Sequence, residues 1–224
     1  MTSTYLRLAA PLQSWATSRV TGNVVRTESV PTTDGLKGLV AASLGAFRGE
    51  WPEWIQSLDF TIRVERKGEL VDEFQTINPR DEDQEYQRRI FILLTGKRWG
   101  KSTNFTPDGQ YLTSIVSRTY LGDAEFLVEI SSPNHHEEVA NALKNPRFTP
   151  YLGRKAFAPT FPYFLGIGQK GLLSELPSLK RTATGGSETV TKRLVTHGEH
   201  RSVTVPELPY EEWLTTIRKY CVIP

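Results

Sequence analysis

Leu58-Asp59-Phe60-Thr61-Ile62-Arg63-Val64-Glu65 alternates without a break. Phe60, Ile62 and Val64 share one side and Thr61, Arg63 and Glu65 the other. That period of two predicts a strand with one face buried and one face wet. Lys67-Gly68 then reads as a turn, and Leu70 to Phe74 as a returning partner strand. Upstream, Leu36, Leu39, Val40, Ser43/Leu44 and Phe47 recur at helical spacing, behind Thr32, Thr33 or Asp34 as a cap. Gly35, Gly38 and Gly45 each cost a helix about 1 kcal/mol relative to alanine, so they imply a close approach by another group, protein or nucleic acid. Earlier still, Thr4 to Leu8 is a short strand stopped by Pro11, followed by the loop Gln13-Ser14-Trp15.

Downstream, Ala124 to Ile130 alternates again, with Phe126, Val128 and Ile130 aligned. Pro133-Asn134 opens a helix from His135 to Lys144. Residues 145–168 are rich in proline, glycine and aromatics, with an irregular strand. Thr182–Thr191 reads as a flexible loop, and Ser202–Val205 and Ile217–Ile223 as tail strands. Between the two halves, from Gln75 to Val116, the chain is polar and charged around Ile90-Phe91-Ile92-Leu93-Leu94, which predicts an insertion projecting from the core. The order is close to β-α-β-β-α-β, so the expected fold is α+β, ferredoxin-like and RRM-like, with a β-rich C-terminal tail.

The 224 residues are 38% hydrophobic and 23% charged, enough for a packed core and unlike a disordered chain or a coiled coil. No apolar run approaches the ~20 residues of a membrane helix. Met1 to Leu8 has no basic stretch before an apolar core, so no signal peptide is expected. The single cysteine, Cys221, allows no internal disulfide, and a cytoplasmic protein fits these features. Net charge is only +2, but the bases are segregated. Lys144 to Lys155 carries four bases and no acid, Arg80 to Lys101 six bases against four acids, and Lys180 to Arg201 five against two. Such clusters are candidate phosphate contacts, although any one alone reads rather as a solvated face.

Four segments in order resemble one family: Pro11-Leu12-Gln13-Ser14-Trp15, Pro31-Thr32-Thr33-Asp34-Gly35-Leu36-Lys37-Gly38 running to Gly45, Arg118-Thr119-Tyr120-Leu121-Gly122-Asp123, and Asn145-Pro146-Arg147-Phe148 through Gly153-Arg154-Lys155 to Gly166. Their spacing is similar to that of the CasD family, a subunit of the type I-E CRISPR complex Cascade, and the likeness spans about residues 4–168. It departs at Ala16, where the family commonly has glycine after the tryptophan. The resemblance implies a RAMP-superfamily ferredoxin-like domain (residues 1–74 plus 118–224) with a thumb at 75–117. It implies a non-catalytic protein that caps the 5′ handle of the CRISPR RNA. The thumb would pack on the backbone subunit CasC, the large subunit CasA would lie nearby, and target DNA would be met only through the complex. No cofactor and no membrane are expected.

Capping a handle requires cations for phosphates and stacking or hydrogen-bonding groups for unpaired bases. Gln13, Ser14 and Trp15 supply an amide, a hydroxyl and an indole, with anchoring of the loop as the alternative use of the indole. Thr32 and Lys37 mark a helix start suited to phosphate. Arg147, Tyr151, Arg154 and Lys155 surround Gly153, where backbone can approach a ligand. Arg88, Arg89, Lys97, Arg98 and Lys101 are the thumb's candidates, and Arg118 re-enters the core beside Tyr120, which reads more as packing. His197-Gly198-Glu199-His200 lacks a third ligand near in sequence, so no metal is expected. One rival reading is a metal-independent endoribonuclease acting on precursor CRISPR RNA, for which His197, Tyr120 and Lys155 have suitable chemistry; the other is an assembly protein that binds its neighbours and touches RNA only incidentally.

Overall fold

The computed structural model describes residues 2–15, 24–77, 90–96, 114–181 and 188–224. It is a mixed α/β structure built on a seven-stranded sheet. Strands β1 (Thr2–Ala9), β4 (Asp59–Arg66), β7 (Glu125–Ser131) and β8 (Phe164–Gln169) pair antiparallel in the order β8-β1-β7-β4. The hairpin β10 (Glu188–Thr196) and β11 (Glu199–Leu208) extends the sheet beyond β4, and the short β9 (Ser178–Leu179) adds in parallel to β11. A second sheet surrounds β6 (Ser114–Gly122), which pairs with β2 (Leu12–Gln13), β3 (Val24–Val25) and β5 (Glu69–Ile77).

Two of the expected strands differ in the structure. The Leu70–Phe74 strand does not return along β4; β5 pairs over its full length with β6, across residues 78–113. Ile217–Ile223 is not a strand, because residues 210–220 form a helix. Glu211 and Glu212 in its first turn and Arg218 and Lys219 in its last complement the helix dipole, while Trp213 and Ile217, four apart, form its buried stripe. The candidate loop at Thr182–Thr191 is in part strand, since β10 starts at Glu188; residues 182–187 lie outside the described residues.

Helices α1 (Thr33–Leu44) and α2 (His136–Lys144) cover one face of the large sheet, where Leu36, Leu39 and Val139 meet Phe60, Ile62, Phe126 and Val128. α1 stops before Phe47 because Gly45 takes the left-handed C-cap conformation, φ 81°, and returns its N–H to Ala41 and Ala42. Helix α3 (Tyr210–Tyr220) and the Leu172–Ser174 turn cover the opposite face, with Trp213, Ile217, Leu172 and Leu176 against Tyr5, Leu127 and Leu194. The polar side of the Leu58–Glu65 pattern is therefore buried too. Arg63 is 0% exposed: its guanidinium pairs with Glu65 and donates to the carbonyls of Leu173 (2.8 Å), Leu176 (2.5 Å) and Pro177 (3.0 Å).

A second buried ion pair sits on the same face. Arg7 and Glu125 meet at 2.5 Å, Arg181 closes on the other carboxylate oxygen, and Arg7 also donates to the Phe161 carbonyl. Burial alone would raise the Glu125 carboxyl, but Arg7 and Arg181 outweigh it and hold the group below the usual carboxylate range. A depressed carboxyl contributes stability above its unfolded value, near 4.3, and that contribution disappears as pH falls through the folded value. Glu125→Gln is therefore expected to lower stability at pH 7 by a margin that shrinks below about pH 4. Urea midpoints of parent and variant from pH 7 to pH 3 read this directly; a margin constant across that range would contradict it.

Candidate nucleic-acid interface

The three loops singled out by sequence converge beside the second sheet. Gln13 is fully buried: its amide donates to the Ala124 carbonyl at 2.9 Å and accepts the Trp15 indole N–H at 2.9 Å. The Trp15 ring lies against Gly35, where a Cβ would stand 3.0 Å from it. Both side chains are consumed by the core, so they offer no atom to a base; anchoring, the alternative use of the indole, is the one the geometry carries. What they position is Ser14. Its N–H donates to the Leu152 carbonyl at 3.0 Å, and its own carbonyl fits against Gly153, at φ 91°. The backbone that Gly153 admits is thus the protein's own.

From Gly153 a tight turn, closed by Phe157 N–H to the Arg154 carbonyl at 2.8 Å, presents Arg154 and Lys155. Phe157 packs edge-on to Tyr120, with centroids 5.0 Å apart. Arg154 lies 5.5 Å over the Tyr120 ring and 3.2 Å from the Glu73 carboxylate, which also accepts from the Tyr120 hydroxyl. Arg118 stands opposite Glu73 in the β5–β6 register, so the two share a face. It forms no ion pair among the described residues, and its Nε is buried without a hydrogen-bond partner. Lys155 is exposed and likewise has no ion pair among the described residues, and Tyr151 is 38% exposed. Ser14, Tyr151, Arg154, Lys155 and Arg118 are therefore brought to one junction.

Thr32 caps α1 by accepting the Gly35 N–H at 3.2 Å, and Lys37 turns to Gln56 at 3.1 Å. Arg147 is not at the junction. Its stem lies across Gly45, at the C-terminal end of α1, whereas Trp15 and Gly35 mark the N-terminal end. Ten residues of helix, about 15 Å, separate the two places. Arg88, Arg89, Lys97, Arg98 and Lys101 lie outside the described residues.

Sequence reasoning missed Arg26 and Glu73. Arg26 is exposed and follows Val25, which pairs with Arg118; it was hidden in a polar stretch without periodicity. Glu73 had a weak signal, the alternation of Val71, Glu73 and Gln75. Glu28, also exposed, tempers the basic character of the junction.

The histidine motif is a hairpin turn. His197 (φ 49°) and Gly198 (φ 81°) make the two-residue link of β10 and β11, and His197 reaches Asp59 at 2.8 Å. Asp59 begins β4, whereas Arg66, at its other end, pairs with Asp123 beside β6. About 23 Å of strand thus separates His197 from the β6 end that leads toward Tyr120. Among the described residues no three His, Cys, Asp or Glu side chains converge as a metal site requires.

This architecture is found in solved CRISPR-associated proteins. A chain of a CRISPR RNA-guided surveillance complex matches it with TM-score 0.71 at 25% identity, over 97% of this chain and 99% of that one. A crystal structure of a Cas protein matches with TM-score 0.57 at 27% identity, over 91% and 95%. The family described as CRISPR-associated protein (Cas_Cas5) covers residues 5–220, and the chain belongs to it. The chain is also 31% identical over 189 residues to the CRISPR system Cascade subunit CasD of Escherichia coli (strain K12), covering 77% of this chain and 76% of that one.

Proposed function

We propose that this protein is a Cascade subunit that binds and caps the 5′ handle of the CRISPR RNA without cutting it. Kinship with CasD supports membership of the complex. The observation that carries the binding role is the junction at which Arg118 and Lys155 stand without a carboxylate partner among the described residues, beside the Ser14–Gly153 contact. Phosphates along an unpaired strand need such cations, and Tyr151 offers a half-exposed ring for a base. The order β8-β1-β7-β4, with α1 and α2 on one face, supports reading residues 1–74 and 118–224 as a ferredoxin-like domain with a C-terminal extension. Residues 75–117 form the thumb in this reading. β5 and β6 are its root, and exposed Leu70, Phe74 and Ile115 give it an apolar surface for the backbone subunit CasC. CasA is the expected large-subunit neighbour, and the assembly works in the cytoplasm.

The nuclease alternative needs His197 near Tyr120 and Lys155, and the strand length between them opposes it. A gel assay of the purified protein with labelled CRISPR repeat RNA and EDTA tests both readings. A shifted band without product is the expected result, and a single clean cut overturns the non-catalytic reading. Lys155→Ala and Arg118→Ala are each expected to weaken binding roughly tenfold, about 1.4 kcal/mol. Each loss would apply evenly across RNA sequences and flatten the salt slope by about 0.7. Unchanged affinity in both variants would remove the junction from the binding surface.

A further inference from the structure

Three donors converge on one carboxylate at the junction. Glu73 accepts from Arg154 Nη1 at 3.2 Å, from the Tyr120 hydroxyl, and from Gln75 Nε2 at 2.7 Å. Arg118 stands opposite Glu73 on the neighbouring strand, forms no ion pair among the described residues, and has a buried Nε without a hydrogen-bond partner. One guanidinium and a phenol hold this anion, with the Arg154 and Glu73 side chains 35% and 37% exposed, and Arg118 adds a second, unpaired cation to the same sheet face. The anion now held there is a side chain of the protein itself.

We infer that the Glu73 carboxylate occupies a phosphate position of the RNA path, and that an RNA phosphodiester displaces it from Arg154 and Tyr120. The inference rests on the RNA-capping role proposed above and deepens it. The exchange breaks the Arg154–Glu73 contact and forms an Arg154–phosphate contact, with no covalent change. Arg118 supplies the second cation, so the incoming phosphate is held by both guanidinium groups, geometry that a carboxylate one strand away does not use. Because Glu73 lies on β5, which leads into the 78–113 segment, its release is a local event at the root of the insertion. The carboxylate holds Arg154 in register when RNA is absent and sets a threshold that weak, adventitious anions do not cross.

Salt dependence distinguishes this exchange from an ordinary structural ion pair. In the parent, Glu73 set free by binding takes a cation back from solution and offsets part of the counterion release. Removing the carboxylate removes that offset. Glu73→Gln keeps the shape and is expected to bind CRISPR repeat RNA about two- to fivefold more tightly at low salt, since a half-exposed ion pair no longer competes. Its log–log salt slope is expected to steepen by roughly 0.7. An unrelated single-stranded RNA of equal length gains by the same factor, because phosphate carries no sequence information. Arg154→Ala in the Glu73→Gln background abolishes the gain, and a double-mutant cycle reads that coupling. Equal or weaker binding by folded Glu73→Gln, beside a parent that binds, overturns the exchange and leaves the capping role standing. A parent that binds neither RNA overturns the capping role, and the exchange with it.

Discussion

Arg63→Ala is expected to lower stability by about 4–5 kcal/mol, the largest effect of any single change proposed for this protein. The side chain is 0% exposed, and its loss leaves the carbonyls of Leu173 and Leu176 without a donor in the core. Pro177 keeps the Trp213 indole N–H at 3.1 Å, and Glu65 keeps the Ser178 hydroxyl at 2.7 Å, so the damage falls on the Leu172–Ser174 turn first. In a chain of this size the melting temperature would fall by about 10–15 °C. Arg63→Lys is expected to recover less than half of the loss, because one ammonium cannot reproduce a planar fork that reaches three carbonyls and a carboxylate. Hydrogen exchange of residues 172–178 and of α3 would rise ahead of that of β1 and β7. A loss below about 1 kcal/mol would mean that the C-terminal layer is held by its apolar contacts alone.

Gly153→Ala is the second. At φ 91° an alanine is strained, and its Cβ would stand 1.9 Å from the Ser14 carbonyl oxygen, a distance that backbone must move to relieve. The expected cost is about 2–4 kcal/mol, with the Ser14–Leu152 hydrogen bond broken and the Arg154–Lys155 turn displaced. Gly49 is the natural control: its φ is also 91°, but nothing lies within 4 Å of its Cβ position. Gly49→Ala therefore carries the strain without the collision and should cost about 1 kcal/mol. The difference between the two variants measures the contact of the loops. RNA binding should fall in Gly153→Ala and stay at the parent level in Gly49→Ala. Equal costs in both would show that the 13–15 and 152–155 loops tolerate separation.

Much of this molecule is legible in its residue order, and the misses share a cause. Phe60, Ile62 and Val64, and again Phe126, Val128 and Ile130, alternate because a pleated strand sends alternate side chains to opposite faces. Both segments are strands facing α1 and α2. Thr32 caps α1 as its hydroxyl predicts, whereas Gly45, read inside the helix from its spacing, instead ends it in the left-handed conformation. The glycine at 153 announces a close approach, and so does Gly35. Neither names its partner: Ser14 for one and the Trp15 ring for the other. Cap, period and glycine are local properties, carried within a few residues of chain.

Burial of the opposite face has no such local carrier. Thr61, Arg63 and Glu65 look solvated beside their neighbours, and only the arrival of residues 172–178 and α3 makes Arg63 a core residue, bonded across 110 positions to Leu173. The β5–β6 pairing likewise joins strands separated by residues 78–113. The binding residues divide in the same way. That Arg118, Arg154 and Lys155 are cations belongs to the sequence. That Arg154 is held by Glu73 while Arg118, opposite Glu73 in register, stands unpaired among the described residues, and that Arg147 lies at the other end of α1, was decided by which elements lie side by side. Local propensity acts through neighbours in the chain, whereas burial and charge pairing act through neighbours in space, and those exist only once the sheets have formed.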